Sequence, residues 1–299
     1  TQTPYQNLVF TQRQLGGGFE PIYNFYINGR LQFSSLDEQI YHEFLVHPAM
    51  QASGRQENIL IIGGGDGLAL REVLKWQPKT VTLIDLDPNL VGLFKAPEQA
   101  LPEYLADKIK LLTKNSFNDK RVTVIHNDAF IAIDSLLQQK QLFDTIIVDL
   151  PDPSHPDLNK LYSVNFYYRL NHLLTADGAF VVQSTSPFHA KNAFISIAKT
   201  VQQAKFTQVE QYHQNVPSFG EWGWTIATKA GGSVSTRLQQ IEHINVETSW
   251  LTSPLLQASF VFNKGFYADK NSVKVNYLGS NQLYQYHQQA WERETELSQ

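Results

Sequence analysis

The chain has 299 residues, enough to bury a large core as one domain or as a main domain with a smaller appendage. Its 24 basic and 28 acidic residues give a net charge of −4 with no long basic block, which argues against a nucleic-acid partner. The absence of cysteine excludes disulfides, thiolate metal sites and cysteine nucleophiles, and no apolar run approaches the roughly 18 to 20 residues that span a bilayer.

The chain opens on Thr1 rather than Met and lacks the charged-then-apolar order of a signal peptide, so it reads as a soluble piece of a longer protein. Short β-like runs follow at Tyr5 to Phe10, Ile22 to Ile27 and Leu31 to Ser34, separated by turn signals at Gly16-Gly17-Gly18 and Asn28-Gly29. With a helix from about Asp37 to Val46, they predict a small N-terminal β appendage and linking helix over residues 1–54. From Asn58 the rhythm changes to apolar strands alternating with helix-length segments, which implies a parallel sheet. Strands are expected near 58–62, 80–85, 121–126, 144–149, 178–183 and 223–228, and helices near 67–76, 88–95, 129–138, 164–173 and 189–204. This predicts an α/β domain with a Rossmann-like sheet over residues 55–230. Gly231-Gly232-Ser233 reads as a linker into a C-terminal extension, 231–299, that ends in a helical run. Tyr284, His287 and Trp291 share one face of that run, most simply a docking face.

Ile61-Ile62-Gly63-Gly64-Gly65-Asp66-Gly67 is a glycine-rich strand-to-helix turn with an acid inside it. Such turns ordinarily present backbone N–H groups to a phosphate, which a carboxylate would repel, so a cationic ligand fits better. Ligands of open parallel sheets bind beyond the carboxyl ends of the strands, and here Asp66, Asp85, Asp128 and Asp149 follow or close successive strands, with Asp152 shortly after. Asp85 lies 22 positions after Gly63, near the spacing at which an acid accepts from ribose hydroxyls, a pattern shared by nicotinamide dehydrogenases and methyltransferases. Any one of these acids has the alternative of capping a helix, Asp128 above all. Asp149-Leu150-Pro151-Asp152-Pro153 instead brackets an acid with two prolines, which removes local N–H donors and turns the carboxylates toward a ligand. Carboxylates gathered in one crevice need a cation. No metal-ligand spacing accompanies them, so an organic cation carrying a nucleoside and an ammonium group is the better answer.

Tyr5-Gln6, Asp37-Glu38-Gln39-Ile40-Tyr41-His42-Glu43, the Gly63–Gly67 turn and Asp149–Pro153 together resemble the spermidine synthases, the polyamine aminopropyltransferases. The resemblance covers roughly residues 5 to 230 and implies a methyltransferase-type Rossmann-like sheet. Lys160-Leu161-Tyr162-Ser163, the stretch Pro217 to Gly223 and the C-terminal extension look most like the bacterial branch that carries an N-terminal membrane region. That likeness implies a cytoplasmic location, on the cytoplasmic face of the membrane in the full-length protein. It also leaves a homodimer as an expectation.

The resemblance further implies transfer of an aminopropyl group from decarboxylated S-adenosylmethionine, a co-substrate rather than a prosthetic group, to putrescine or a related amine. By it, Asp149 is the base and Asp152 holds the amine. Asp66 binds the donor's ammonium, Asp85 the ribose, Asp128 with Ala129 the adenine, and Gly63 and Gly65 shape the turn. Gln6, Tyr41 and His42 line the pocket and Pro156 lies beside the nucleoside, although His42 and Tyr41 have the alternative of plain structural roles. The stretch from Leu150 to Ser163 corresponds to a loop closing over the substrates, or else to a surface connection.

Where the family has Tyr-Pro-Ser-Gly near the acceptor, this chain has Val216-Pro217-Ser218-Phe219-Gly220, and Glu221 is either a replacement ammonium ligand or a rim charge. Two rivals remain: an S-adenosylmethionine methyltransferase, and a non-catalytic polyamine or nucleoside sensor.

Overall fold

The structure, a computed structural model, describes residues 1–297. Strands β1 (Leu8–Arg13), β2 (Ile22–Ile27) and β3 (Arg30–Ser34) form a three-stranded antiparallel sheet. Asn28 and Gly29 both take positive φ, the conformation a tight hairpin needs to match the strand twist. The first strand begins later than Tyr5 because the Thr3 hydroxyl accepts from the backbone N–H groups of Tyr5 and Gln6, at 3.1 and 3.0 Å, and holds them in a turn. Phe10, Phe25 and Phe33 face Phe94 on the adjoining helix α3 (Pro88–Lys95), with ring centroids 5.2 to 6.1 Å away, and dock the appendage.

Helix α1 (Glu38–Ala52) runs past Val46 and through Pro48. A proline leaves the carbonyl four residues earlier without its helical donor. Here the Phe44 carbonyl accepts from the Tyr212 hydroxyl at 2.6 Å, so the helix continues. Nearly every side chain of α1 is buried, and Phe44, Leu45 and Ala49 pack into the core beneath the sheet.

The main sheet has seven strands in the order β6-β5-β4-β7-β8-β10-β9. Strands β4 (Asn58–Gly63), β5 (Thr80–Asp85), β6 (Val122–His126), β7 (Phe143–Asp149) and β8 (Leu174–Gln183) are parallel, whereas β10 (Gly220–Thr228) runs antiparallel between β8 and the edge strand β9 (Gln208–Val216). The sheet is therefore mixed. Side chains alternate between two cores: Ile59, Ile61, Leu83 and Ile147 pack toward α1, α2 (Leu68–Leu74), α3 and α4 (Glu103–Thr113). Leu60, Ile62, Ile146 and Val148 pack toward α5 (Ala129–Gln138), α6 (Val164–Leu173) and α7 (Lys191–Gln203).

Beyond residue 231 the chain covers both faces. Leu238 of α8 (Val234–Leu238), Leu251 and Leu256 of α9 (Ser253–Ser259) enter the first core, and Leu283 of α10 (Gln282–Leu297) enters the second. The Glu43 carboxylate accepts from the backbone N–H groups of Ser249, Trp250 and Leu251 at 2.5 to 2.9 Å and fixes the path. Among the described residues, no helix is long and apolar enough to cross a membrane.

Candidate active site

Strand order reverses between β4 and β7, and the crevice outside their carboxyl ends is where an open α/β sheet binds ligands. Gly63 pairs with Asp149 at that end. A Cβ on Gly63 would stand 2.0 Å from the Asp149 carbonyl oxygen, and φ is +81°, so only glycine lets the two strands meet there. Gly65 plays the same part beside Asp85, whose carboxylate oxygen would lie 2.6 Å from an added Cβ.

A cleft of about 1530 Å³ opens from this point. It is larger than the several hundred Å³ that a single small ligand fills, with room for two. Gln6, Tyr41, His42, Gly63, Gly65, Asp66, Asp85, Asp128, Ala129, Asp149, Asp152 and Pro156 all line it. Glu221 does not: its carboxylate pairs with the His213 imidazole on the other side of the sheet. Successive strand residues point to opposite faces, so Trp222 enters the cleft and Glu221 leaves it. Of the expected site residues, Glu221 thus stands away from the cleft that the others share.

Asp149 is half-buried, and the Tyr41 hydroxyl donates to it at 2.7 Å. Burial raises its pKa to about 6, nearby Asp66 adds to the rise, and His42 and Tyr41 oppose it. Burial also lifts Asp66, against the pull of His42 and the Leu68 N–H, which donates to its carboxylate at 2.9 Å. Asp85 is pushed up to about 6, chiefly by burial with Asp66 and Asp87 adding repulsion, although the Asp87 N–H donates to it at 2.9 Å. The three acids thus strain against one another and favour a cation among them.

His42 lies within this group. Burial alone would discharge it, but the Glu38 carboxylate, 3.0 Å from its Nδ1, raises its pKa. Glu38 is in turn held by Arg71 at 2.7 and 2.9 Å. The imidazole is a hydrogen-bonded helix residue that also opposes the rise in the pKa values of Asp66 and Asp149.

Toward the N-terminal sheet, Gln6 reaches the cleft because Asp87 holds it, accepting from Gln6 Nε2 at 2.9 Å and from the Thr3 hydroxyl at 2.6 Å. Asp87 also caps α3 through the Asn89 N–H. Sequence reading passed over it, though Asp87-Pro88 after a strand is a helix-start signal. Asp128 does cap a helix: it accepts from the Phe130 N–H at 2.8 Å, while its second oxygen meets Lys160 Nζ at 2.5 Å. Lys160 comes from the 3₁₀ turn Pro156–Tyr162, which overhangs this end.

At the other end, Asp152 lies near Gln183 Nε2 at 3.4 Å and His287 Nε2 at 3.3 Å. Gln183 also donates to the Leu150 carbonyl at 2.8 Å and the Tyr162 hydroxyl at 2.6 Å, and so braces the Leu150–Asp152 stretch. Asp37 binds the Ser218 N–H and hydroxyl at 2.7 and 2.8 Å, which seats Phe219 and Trp222 against Tyr41. Gln183, Phe219, Trp222 and Trp291 all line the cleft, and none was picked out from sequence as part of it. The arrangement leaves one end bounded by Gln6, Asp85 and Asp128 and another walled by aromatic rings and Asp152, with the Asp149 carboxylate between.

Residues 38–240 match the family model described as the spermine/spermidine synthase domain. The chain is 57% identical over 289 residues to the polyamine aminopropyltransferase of Shewanella oneidensis, covering 97% of this chain and 50% of that protein. It is 40% identical over 267 residues to polyamine aminopropyltransferase 2 of Bacillus cereus, covering 88% of this chain and 68% of that one. A spermidine synthase solved with the transition-state analogue AdoDATO has a TM-score of 0.72 at 24% identity, with 88% of each chain covered, and shows the same fold. The chain spans about half the length of several curated relatives it matches.

Proposed function

The chain belongs to the spermine/spermidine synthase family, and on that basis we propose that it transfers the aminopropyl group of decarboxylated S-adenosylmethionine to putrescine or a related amine. The observation that carries this reading is Asp149: a half-buried carboxylate with its pKa raised to about 6, held by Tyr41 and facing the crevice it shares with Asp66.

In this reading the donor lies along the β4–β5 side, with its ribose at Asp85, its adenine near Asp128 and Ala129, and Gln6 and Pro156 beside it. Asp66 takes the ammonium of the aminopropyl arm. S-adenosylmethionine itself would carry a carboxylate toward Asp66, so the decarboxylated donor is favoured over a methyl donor. The acceptor lies among Tyr41, Phe219 and Trp222, with Asp152 holding its distal ammonium.

An alkylamine has a pKa near that of lysine, about 10.4, and must lose a proton before its lone pair can attack. Raising Asp149 from its ordinary value of 3.8 to about 6 narrows the gap to the amine by on the order of 3 kcal/mol. The amine lone pair then forms a bond to the carbon attached to the sulfonium. The carbon–sulfur bond breaks, its electron pair returns to sulfur, and neutral methylthioadenosine leaves. The proton passes from nitrogen to Asp149 and on to solvent. Alignment of amine, carbon and sulfur in one cleft supplies the rest of the acceleration. The 150–163 stretch, with Lys160 across Asp128, would exclude water from the sulfonium.

Mass spectrometry of products, after mixing the protein with decarboxylated S-adenosylmethionine and a panel of amines, tests the reading. Methylthioadenosine with an aminopropylated amine supports it; donor binding with no product from any amine sinks it in favour of a sensor. We also propose residues 55–230 as a Rossmann-like catalytic domain whose site is completed by Gln6, Tyr41 and His42 of the preceding segment, and attachment of the whole protein to a membrane through a region outside this chain. Fractionation of the full-length protein tests the attachment, since recovery wholly in the soluble fraction would refute it.

A further inference from the structure

Residues beyond 240 lie outside the family match, yet α10 returns to the cleft. His287 is 1% exposed, and its Nε2 stands 3.3 Å from Asp152 Oδ2. One helical turn on, the Trp291 indole N–H donates to the same Nε2 at 3.1 Å, and Trp291 lines the cleft. An indole only donates and a carboxylate only accepts. Nε2 can serve only one of them at a time, accepting from Trp291 when the proton is on Nδ1 and donating to Asp152 when it carries the proton, so the imidazole stands between the two groups and holds the carboxylate as the Nε2–H form.

The helix is held firmly enough to position them. Leu283 is fully buried, the Tyr284 N–H donates to Asn159 Oδ1 at 3.1 Å, and Asn276 Nδ2 donates to the carbonyls of Asn159 and Tyr162 at 3.0 and 3.1 Å. The extension thus clasps the 3₁₀ turn that overhangs the site. A carboxylate backed by an imidazole, beside an indole, is suited to an alkylammonium: the charge pairs with the acid and the methylenes lie on the ring.

We propose that α10 forms the distal wall of the acceptor arm. His287 is a positioning residue that holds Asp152 for the far ammonium of the acceptor amine, and Trp291 stops the arm and sets the acceptor length it admits. This rests on the aminopropyltransferase reading above.

The test uses the full-length protein with decarboxylated S-adenosylmethionine and, in turn, putrescine, cadaverine and spermidine, comparing His287→Ala, His287→Gln and Trp291→Ala with wild type. His287→Ala is expected to raise KM for putrescine about tenfold, the loss of one hydrogen bond to a charged group, with donor KM unmoved. His287→Gln, whose amide N–H can reach the same carboxylate, should restore most of it. Trp291→Ala should shift the ratio of kcat/KM about tenfold toward the longer amine. Acceptor KM and length preference unchanged in folded variants would overturn the inference while leaving the transferase reading intact. Equal loss of donor and acceptor binding without rescue by Gln would overturn it too, by reducing His287 to a packing role. A wild type that transfers to none of the amines would sink the transferase reading and this inference with it. Should His287→Ala not fold, Trp291→Ala decides alone, since that side chain is 46% exposed.

Discussion

The Tyr41 hydroxyl donates a hydrogen bond of 2.7 Å to Asp149 across 108 positions of sequence, and it opposes the rise in pKa that burial imposes on the carboxylate. Burial holds the phenol itself well above its ordinary range, so it remains a donor at any working pH. Tyr41→Phe removes a bond to the ionised form and lets the Asp149 pKa climb above about 6. The acid limb of the kcat profile should therefore move to higher pH, with roughly tenfold lower activity near neutrality and partial recovery in alkali. A limb that stays in place or moves to lower pH would contradict the coupling.

Asp149→Asn keeps an acceptor for Tyr41 but no group that can take a proton. Turnover is expected to fall by about a hundredfold or more, the usual worth of a general base, with donor affinity changed by no more than a few fold. Single-turnover kinetics and donor titration separate the two. Retained turnover would remove Asp149 from the role of base.

Asp85 and Asp149 both have their pKa values raised to about 6, and Asp66 is raised beside them. A cationic donor lowers all three on binding, so protons must leave wherever the acids were partly protonated. Calorimetry of donor binding in two buffers of different ionisation enthalpy should show proton release at pH near 6, fading to none by about pH 8. Proton uptake near pH 6 would mean that the bound ligand is not a cation at these acids.

The same crowding affects stability without substrate. An Asp whose folded pKa is raised contributes stability that is complete below its unfolded pKa and is lost as pH rises through the folded value. For Asp85 that window runs from 3.8 to about 6. Asp85→Asn, which keeps an acceptor for the Asp87 N–H, should match wild type at the acid end and become more stable above it, by up to about 3 kcal/mol. Denaturant unfolding of both proteins across that range checks it; a variant less stable at neutral pH would refute the account.

Much of the site could be read from short stretches. Each acid on the cleft floor closes or follows an apolar strand, and the carboxyl ends of parallel strands share one edge, so local order alone gathers Asp66, Asp85, Asp128 and Asp149. Asp128 shows the limit of that logic, since it caps α5 and pairs with Lys160 while also facing the cleft. Strand β9 escaped notice because its polar residues, among them Gln208, Gln211 and His213, give no apolar run; its edge position beside β10 tolerates them.

The family, the α/β architecture and the acids of the cleft floor were legible in the linear chain, because they follow from local periodicity and from motifs whose residues lie near one another. That Glu221 turns away toward His213, that Asp87 holds Gln6, and that His287 reaches Asp152 across 135 positions came from the folded packing alone. Which face of a strand meets a cleft, and which distant helix closes it, depend on how the layers pack. No local pattern of side chains encodes that choice.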